Sequence, residues 1–272
     1  EEHEVGELPM SGALIFDCDG VLSDTERDGH LPAFNATFEH FGLPVHWSQD
    51  DYARVLAIGG GKERLAALLT PEFIVEAGLP TDADEQRELV ATWHREKTTR
   101  YTAMVRAGAL PARPGIARFA AEAAAAGWKL AVASTSAEES VRAVLEHAVG
   151  IEFAKRFSVF AGDAVSLKKP APDIYLLALH ELDVKPDDAV AVEDSANGLR
   201  AALAAGITTI VTESSYTADE DFTGAALVVD TLGHRTEHPA SVVSNPFAAN
   251  INGEVSFDDV LYLRTAINSN AS

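Results

Sequence analysis

Two aspartates separated by one residue follow a short apolar run near the start of the 272-residue chain. The run is Ala13 to Phe16, which has the length and composition of a buried β-strand, so Asp17 and Asp19 are predicted to lie at a strand end. One carboxylate at such a position can attack phosphorus as a nucleophile, and the other can act as a general acid and base. Gly20 permits the sharp turn that follows. The alternative is an ordinary turn with two solvated acids, because so short a pattern also occurs by chance.

Hydroxyl side chains follow a second predicted strand, Lys129 to Ala133. They are Ser134, Thr135 and Ser136, and a predicted helix begins after them. A hydroxyl here, together with backbone amides at the helix N-terminus, can donate hydrogen bonds to phosphoryl oxygens. Capping of the helix by one of these hydroxyls is the simpler alternative.

A lysine and a second pair of acids come later in the chain. Lys169 precedes a Pro-Ala-Pro segment, and its ammonium can hold a phosphate beside carboxylates; the alternative is a solvated loop lysine. Glu193 and Asp194 follow the predicted strand Ala189 to Val192. Adjacent acids at a strand end offer the hard oxygen ligands that Mg²⁺ prefers, whereas capping of the next helix by Asp194 is the alternative.

Short apolar runs alternate with alanine-rich helical patterns over most of the chain, which predicts an α/β fold. Further strands are predicted at 158–160 and 207–211, and helices at 116–126, 137–146, 172–182 and 196–205. Continuous apolar strands in strand–helix–strand repeats indicate a doubly wound, parallel, Rossmann-like sheet.

Residues 27–108 differ from the rest, because they show helical periodicity and many charges. They are predicted to form a helical cap domain inserted after the first strand, which leaves 10–26 and 109–245 as a discontinuous core. Residues 246–272 are predicted to form a turn and a terminal helix. A calcium loop is disfavoured there, because Ala248 and Asp259 stand where the loop needs Asp and a bidentate Glu.

The composition restricts the partners. A net charge of −21 argues against nucleic acid and anionic membrane surfaces, and the apolar runs are too short to span a bilayer.

A single cysteine, Cys18, fits a reducing compartment, which would be the cytoplasm, or the chloroplast stroma for a processed plastid protein. No signal-peptide pattern is present, although Met10 could be the natural start and residues 1–9 a leader. A small phosphorylated molecule is the expected partner, and the chain is expected to be a monomer.

The four segments together resemble the haloacid dehalogenase superfamily, whose four motifs occur in the same order. The resemblance implies an aspartate-nucleophile phosphatase fold and mechanism, with Asp17 as nucleophile and Asp19 as general acid and base. It implies that Ser134, Thr135 and Lys169 bind the reacting phosphate. It further implies an Mg²⁺ cofactor; its ligands would be Asp17, the backbone carbonyl of Asp19, Asp194 and, directly or through a neighbour, Glu193.

The predicted cap carries a glycine string followed by Lys62 and Arg64, which is a candidate second anion site. The alternative is the N-terminal loop of a charged helix. The chain resembles the CbbY-type branch in this string, in the segment from Asp17 to Glu26, and in Arg113 to Gly115. Members of that branch hydrolyse xylulose 1,5-bisphosphate, an inhibitor of the carbon-fixing enzyme Rubisco. The resemblance implies that Glu26, Lys62 and Arg64 bind the substrate, and that the product is xylulose 5-phosphate.

Two alternatives remain at this stage. A β-phosphoglucomutase-like phosphotransferase, or another small sugar-phosphate phosphatase, would share every core motif. A non-catalytic regulator with the same fold is a second alternative, and the complete set of motif residues disfavours it.

Overall fold

The centre of the fold is a seven-stranded sheet in the computed structural model, which describes residues 11–58 and 61–270. Its strands are β1 (Ala13–Phe16), β2 (Lys129–Ala133), β3 (Phe157–Phe160), β4 (Ala189–Glu193), β5 (Thr208–Thr212), β6 (Leu227–Val229) and β7 (Val242–Ser244). The spatial order is β3-β2-β1-β4-β5-β6-β7; every neighbouring pair is parallel except β6 and β7, which are antiparallel. The predicted α/β fold with a mostly parallel sheet is confirmed, and β6 and β7 extend it. The predicted leader, residues 1–9, lies outside the described residues.

Strand β1 is an interior strand, the third of the seven in spatial order, so both of its edges are paired and its four residues are fully buried. Its last residue, Phe16, is level with Val132 of β2 on one side and with Val192 of β4 on the other. Chain order reverses on the two sides of β1, and the carboxyl ends of strands at such a reversal are where open α/β sheets bind ligands. The residues after β1, β2 and β4 therefore converge on one edge of the sheet.

A compact helical unit, Thr25–Leu110, interrupts the core between β1 and β2. It begins with a π-helix at Glu26–His30 and continues with α1 (Leu31–His40), α2 (Gln49–Val55), α3 (Gly61–Ala66), α4 (Pro71–Glu76) and α5 (Ala83–Arg106). Aromatic rings fill its centre, with centroid separations of 5.1 Å between Phe34 and Trp47 and 4.8 Å between Phe38 and Trp47. The predicted cap, 27–108, lies within this unit and is two residues shorter at each end.

Core helices cover both faces of the sheet. They are α6 (Ile116–Ala125), α7 (Glu138–Val149), α8 (Ile151–Ala154), α9 (Asp173–Leu182), α10 (Ala196–Ala204) and α11 (Phe257–Asn270). Side chains alternate between the faces of a strand, so Ile15 packs with residues of α9 and α10 while Phe16 meets Phe119 of α6 edge-on at 6.3 Å. Among the described residues, no helix combines the length and the apolar character needed to cross a membrane.

The C-terminal tail ends in α11 and belongs to the same compact unit as the sheet. Ser256 and Asp259 form a capping box at the start of this helix, in which the backbone N–H of Ser256 donates to Asp259 Oδ2 at 2.8 Å and the backbone N–H of Asp259 donates to Ser256 Oγ at 3.3 Å. Asp259 is therefore a capping residue, which agrees with the predicted turn and helix and not with a calcium ligand. The buried guanidinium of Arg264 donates to Asp187 O at 3.0 Å and to Asp188 Oδ1 at 2.7 Å, and fixes the helix to the loop before β4.

Replacement of Arg264 by Ala is expected to lower the free energy of unfolding by roughly 2–4 kcal/mol, because it removes a buried ion pair and leaves Asp188 without its partner. Urea denaturation followed by circular dichroism measures the effect. Tyr262→Phe, on the exposed side of the same helix, is the control; it removes only an exposed hydrogen bond to Phe247 O and is expected to change stability by less than about 1 kcal/mol. Equal effects of the two substitutions would contradict the assigned anchoring role.

Candidate active site

The centre of the site is the ammonium group of Lys169, whose side chain is only 9% exposed. Its Nζ donates to Asp17 Oδ1 at 2.9 Å, to Glu193 Oε1 at 2.6 Å and to the carbonyl oxygen of Ala133 at 3.0 Å. An ammonium has three N–H donors, and these three acceptors match them. The alternative of a solvated loop lysine is therefore wrong, because the lysine after β3 joins the residues that follow β1, β2 and β4.

Three buried carboxylates lie close together here, and two of them bind this cation. Asp17, Glu193 and Asp194 each offer an oxygen, and these oxygens all lie within 4.8 Å of one another. Burial raises the pKa of Asp17 to about 7, although Lys169 opposes the shift, and the nearby carboxylates of Glu193 and Asp19 raise it further. Burial and the charges of Asp17 and Glu193 likewise raise the pKa of Asp194 well above its ordinary value. One ammonium does not balance three carboxylates, so the donor set fits a hard divalent cation.

Two glycines leave room for these carboxylates. A Cβ on Gly20, whose φ is +80°, would lie 2.0 Å from Asp194 Oδ2, and a Cβ on Gly198 would lie 1.9 Å from Glu193 Oε2. Any larger residue at either position would displace a carboxylate from the group. The helix after β4 is capped by Ser195, which accepts from Gly198 N at 3.1 Å, so the alternative of Asp194 as the helix cap is wrong.

The hydroxyl segment after β2 contacts the second aspartate. Ser136 Oγ donates to Asp19 Oδ2, and Ser134 is buried, with its Oγ accepting from the backbone N–H of Ser136 at 3.2 Å. Thr135 is exposed. Helix α7 begins at Glu138 with Ala137 at its N-cap and without a side-chain cap, so the capping alternative for the hydroxyl segment is wrong.

Tyr175 is a residue of the site that the sequence did not reveal. It is fully buried on α9, its hydroxyl donates to Glu193 Oε1, and Lys169 Nζ lies 5.1 Å from its ring centroid. A tyrosine on the apolar face of a helix gives the signal of an ordinary core residue, and only the structure shows that its hydroxyl reaches Glu193. Ser136 was part of a predicted segment, but its bond to Asp19 was not predicted.

The residues predicted for the insert form a group of their own. Tyr52 Oη donates to Glu26 Oε2 at 2.5 Å and accepts from Arg64 Nη1 at 3.1 Å, while Arg64 also pairs with Glu26 at 3.6 Å. Arg64 Nε donates to Ile58 O at 3.0 Å. Lys62 is exposed on α3, and the preceding residues 59–60 lie outside the described part of the chain. The structure therefore joins Glu26 to Arg64 and leaves Lys62 at the surface of the unit.

A second polar group in the insert was not predicted. The buried Lys97 Nζ lies 2.7 Å from His30 Nδ1, and the His30 ring stacks on Tyr101 with centroids 3.9 Å apart. Burial, together with the charges of Lys97 and Arg64, lowers the pKa of His30 well below its ordinary value. The lowered pKa favours the neutral imidazole, whose Nδ1 can accept a hydrogen bond from the Lys97 ammonium. A lone histidine and lysine far apart in sequence gave no signal of this pairing.

Comparison with known proteins identifies the family. The family model for haloacid dehalogenase-like hydrolases matches residues 12–206. The chain belongs to this family. It is a phosphatase of the CbbY type, because curated CbbY proteins are among its most similar relatives.

The relatives cover most of the chain. A CBBY-like protein from Arabidopsis thaliana is 47% identical over 228 residues, which are 84% of this chain and 71% of the relative. The CbbY protein of Cupriavidus necator is 44% identical over 83% of this chain and 87% of its own length. A variant of CbbY from Rhodobacter sphaeroides, solved in complex with xylulose 1,5-bisphosphate, superposes with a TM-score of 0.64 at 41% identity, over 81% of this chain and 94% of that one.

The raised pKa of Asp17 predicts a dependence of stability on pH. Its pKa is 3.8 ordinarily and about 7 in the folded protein, so between these values the folded state binds more protons than the unfolded state. The free energy of unfolding should therefore fall as pH rises from about 4 to about 7 when divalent cations are chelated. Denaturant titrations in EDTA at several pH values test this, and Asp17→Asn should flatten the slope. An equal slope in the variant would rule out Asp17 as its source.

Proposed function

We propose that the protein is an Mg²⁺-dependent sugar-phosphate phosphatase that hydrolyses xylulose 1,5-bisphosphate to xylulose 5-phosphate through an aspartyl-phosphate. The observation that carries the proposal is the buried group in which Lys169 binds Asp17 beside Glu193 and Asp194 at the carboxyl edge of the sheet. The bisphosphate bound to the Rhodobacter sphaeroides CbbY variant supports the choice of substrate.

Asp17 is the proposed nucleophile. Its carboxylate oxygen forms a bond to phosphorus as the ester bond to the sugar breaks, and Asp19 gives its proton to the departing sugar oxygen. Asp19 then takes a proton from water, whose oxygen attacks phosphorus, so that phosphate leaves and the Asp17 carboxylate is regenerated. Ser134 binds the phosphoryl oxygens, with Thr135 beside it, and Lys169 binds them by exchanging one of its three present acceptors for a phosphoryl oxygen. Ser136, which donates to Asp19 Oδ2, orients the acid.

Mg²⁺ is the proposed cofactor, and Asp17, Asp194, Glu193 and the backbone carbonyl of Asp19 are its proposed ligands. The ion would neutralise the charge that develops on the phosphoryl group. The mutual proximity and burial of three carboxylates support this assignment, because burial and the neighbouring carboxylates raise the pKa values of Asp17 and Asp194, and a bound cation would oppose that shift.

The insert is proposed to bind the rest of the substrate. Lys62 is an exposed cation suited to the distal phosphate, and Glu26 can accept hydrogen bonds from sugar hydroxyls. Arg64 pairs with Glu26 and donates to Tyr52, so its contribution includes the placement of both side chains.

Asp17→Asn is expected to lower phosphate release from p-nitrophenyl phosphate by about 10⁴-fold or more, because an amide cannot act as the nucleophile. The assay compares the variant with Asp183→Asn, an exposed aspartate at a positive φ that asparagine also tolerates. The control should retain wild-type turnover. Turnover of Asp17→Asn close to that of the wild type would exclude the proposed mechanism.

Lys62→Ala and Arg64→Ala are each expected to raise the KM for xylulose 1,5-bisphosphate by about tenfold, since each removes a charged group from the proposed binding surface. Turnover of p-nitrophenyl phosphate, which has no distal phosphate, should change by less than about twofold. Arg54→Ala is the matched control, because Arg54 is an exposed cation of the same unit. An unchanged KM in the double variant would refute the distal-phosphate assignment.

A panel of sugar mono- and bisphosphates ranked by kcat/KM tests the substrate itself. A mutase would need glucose 1,6-bisphosphate for turnover of β-glucose 1-phosphate, whereas the proposed hydrolase releases inorganic phosphate without it. Complete absence of Mg²⁺-dependent phosphate release would favour a non-catalytic regulator. The monomeric state, the lack of nucleic-acid binding and the cytoplasmic or stromal compartment stay predictions.

A further inference from the structure

Arg113 lies where the chain returns from the insert to the core. The insert unit ends at Leu110, and the chain then pairs with the segment that leaves β1: Ser23 and Ala112 form an antiparallel bridge, and the backbone N–H of Arg113 donates to Leu22 O at 2.9 Å. The segment that carries Asp19 is thus tied to the one that carries Arg113.

The guanidinium of Arg113 joins three further backbone segments of the core. It donates to Gly20 O in the turn after β1, to Thr212 O at 3.1 Å and Glu213 O at 2.6 Å at the end of β5, and to Asp230 O at 2.5 Å just after β6. These are the same carboxyl ends of the strands at which the site is built. The planar guanidinium has five N–H donors in a fixed arrangement, so a single side chain can serve acceptors on several segments.

The position of the Gly20 turn affects two carboxylates of the site, those of Asp19 and Asp194. Asp19 immediately precedes it, and Asp194 Oδ2 occupies the space where a Cβ of Gly20 would lie. A turn that moved by about 1 Å would therefore change the place of Asp19 and its spacing from Asp194, and displacements of that size can cost a hundredfold in rate.

We propose that Arg113 is a positioning residue for phosphoryl transfer, which fixes the turn of Asp19 and Gly20 against the ends of β5 and β6 without touching the substrate. This inference rests on the proposed roles of Asp19 and Asp194. It gives Arg113 an effect on the rate of the chemical step, beyond its contribution to stability.

Arg118 provides a matched control within the same unit. Its Nη2 donates to three backbone carbonyls, those of Leu232, Gly233 and Val255, at 3.0–3.1 Å, and Nη1 pairs with Glu122 at 2.9 Å. Like Arg113, Arg118 therefore links separate backbone segments, but none of its partners is an acid residue of the site. Loss of either arginine should lower the melting temperature, but only loss of Arg113 should disturb the site.

The test measures kcat and KM with p-nitrophenyl phosphate and Mg²⁺ for Arg113→Ala, Arg113→Lys, Arg118→Ala and Asp17→Asn, at a temperature where circular dichroism shows each variant folded. Arg113→Ala should lose about 10²-fold in kcat with KM changed less than about threefold, and Arg113→Lys should recover little of it. Added methylguanidinium, below denaturing concentration, should restore part of the kcat of Arg113→Ala. Arg118→Ala should keep kcat within about twofold and show no rescue.

A kcat of Arg113→Ala equal to that of Arg118→Ala would overturn the inference, as would full recovery in Arg113→Lys. If Arg113→Ala does not fold, Arg113→Lys decides, because it retains a cation and lacks only the planar fork. Failure of the proposed function is a separate result: Asp17→Asn would then retain activity whatever Arg113 does.

Discussion

The buried ammonium of Lys169 is the interaction on which the rest of the site depends. It binds Asp17, Glu193 and Ala133 O, and so connects the ends of the three neighbouring strands β2, β1 and β4. Without it, three carboxylates would share a buried volume with no positive side chain bonded to them, and burial of uncompensated charge is costly. Because one ammonium does not balance three carboxylates in a chain of net charge −21, the proposed Mg²⁺ would have to supply the positive charge that attracts a phosphate.

The sequence predicted the strands well and singled out residues that the structure brings together, because both depend on local patterns. Each predicted strand of the core appears, and Asp17, Lys169, Glu193 and Asp194 come together because parallel strands end at one edge of the sheet. The simpler alternatives could be rejected only from the structure, which shows that Lys169 is buried and that Ser195 caps α10.

Residues that act through other residues could not be predicted in this way. The hydroxyl of Tyr175 reaches Glu193, and the guanidinium of Arg113 reaches four backbone carbonyls, yet neither contact leaves a pattern in the sequence. In the insert, the pairing of Arg64 with Glu26 joins residues on two helices, whereas the sequence suggested an anion ligand or the start of a charged helix. Local spacing identifies groups that follow strands, whereas contacts distant in sequence depend on the tertiary fold.

The position of the insert has a consequence for the order of folding. The central strand β1 pairs only with β2 and β4, and its first partner follows it by on the order of a hundred residues, so it emerges early in synthesis without a neighbour. The compact insert, whose residues are contiguous in the chain, can acquire its contacts before that partner is made. Asp17 therefore gains its bond to Lys169 and its place beside Glu193 and Asp194 only when the C-terminal half has been synthesised.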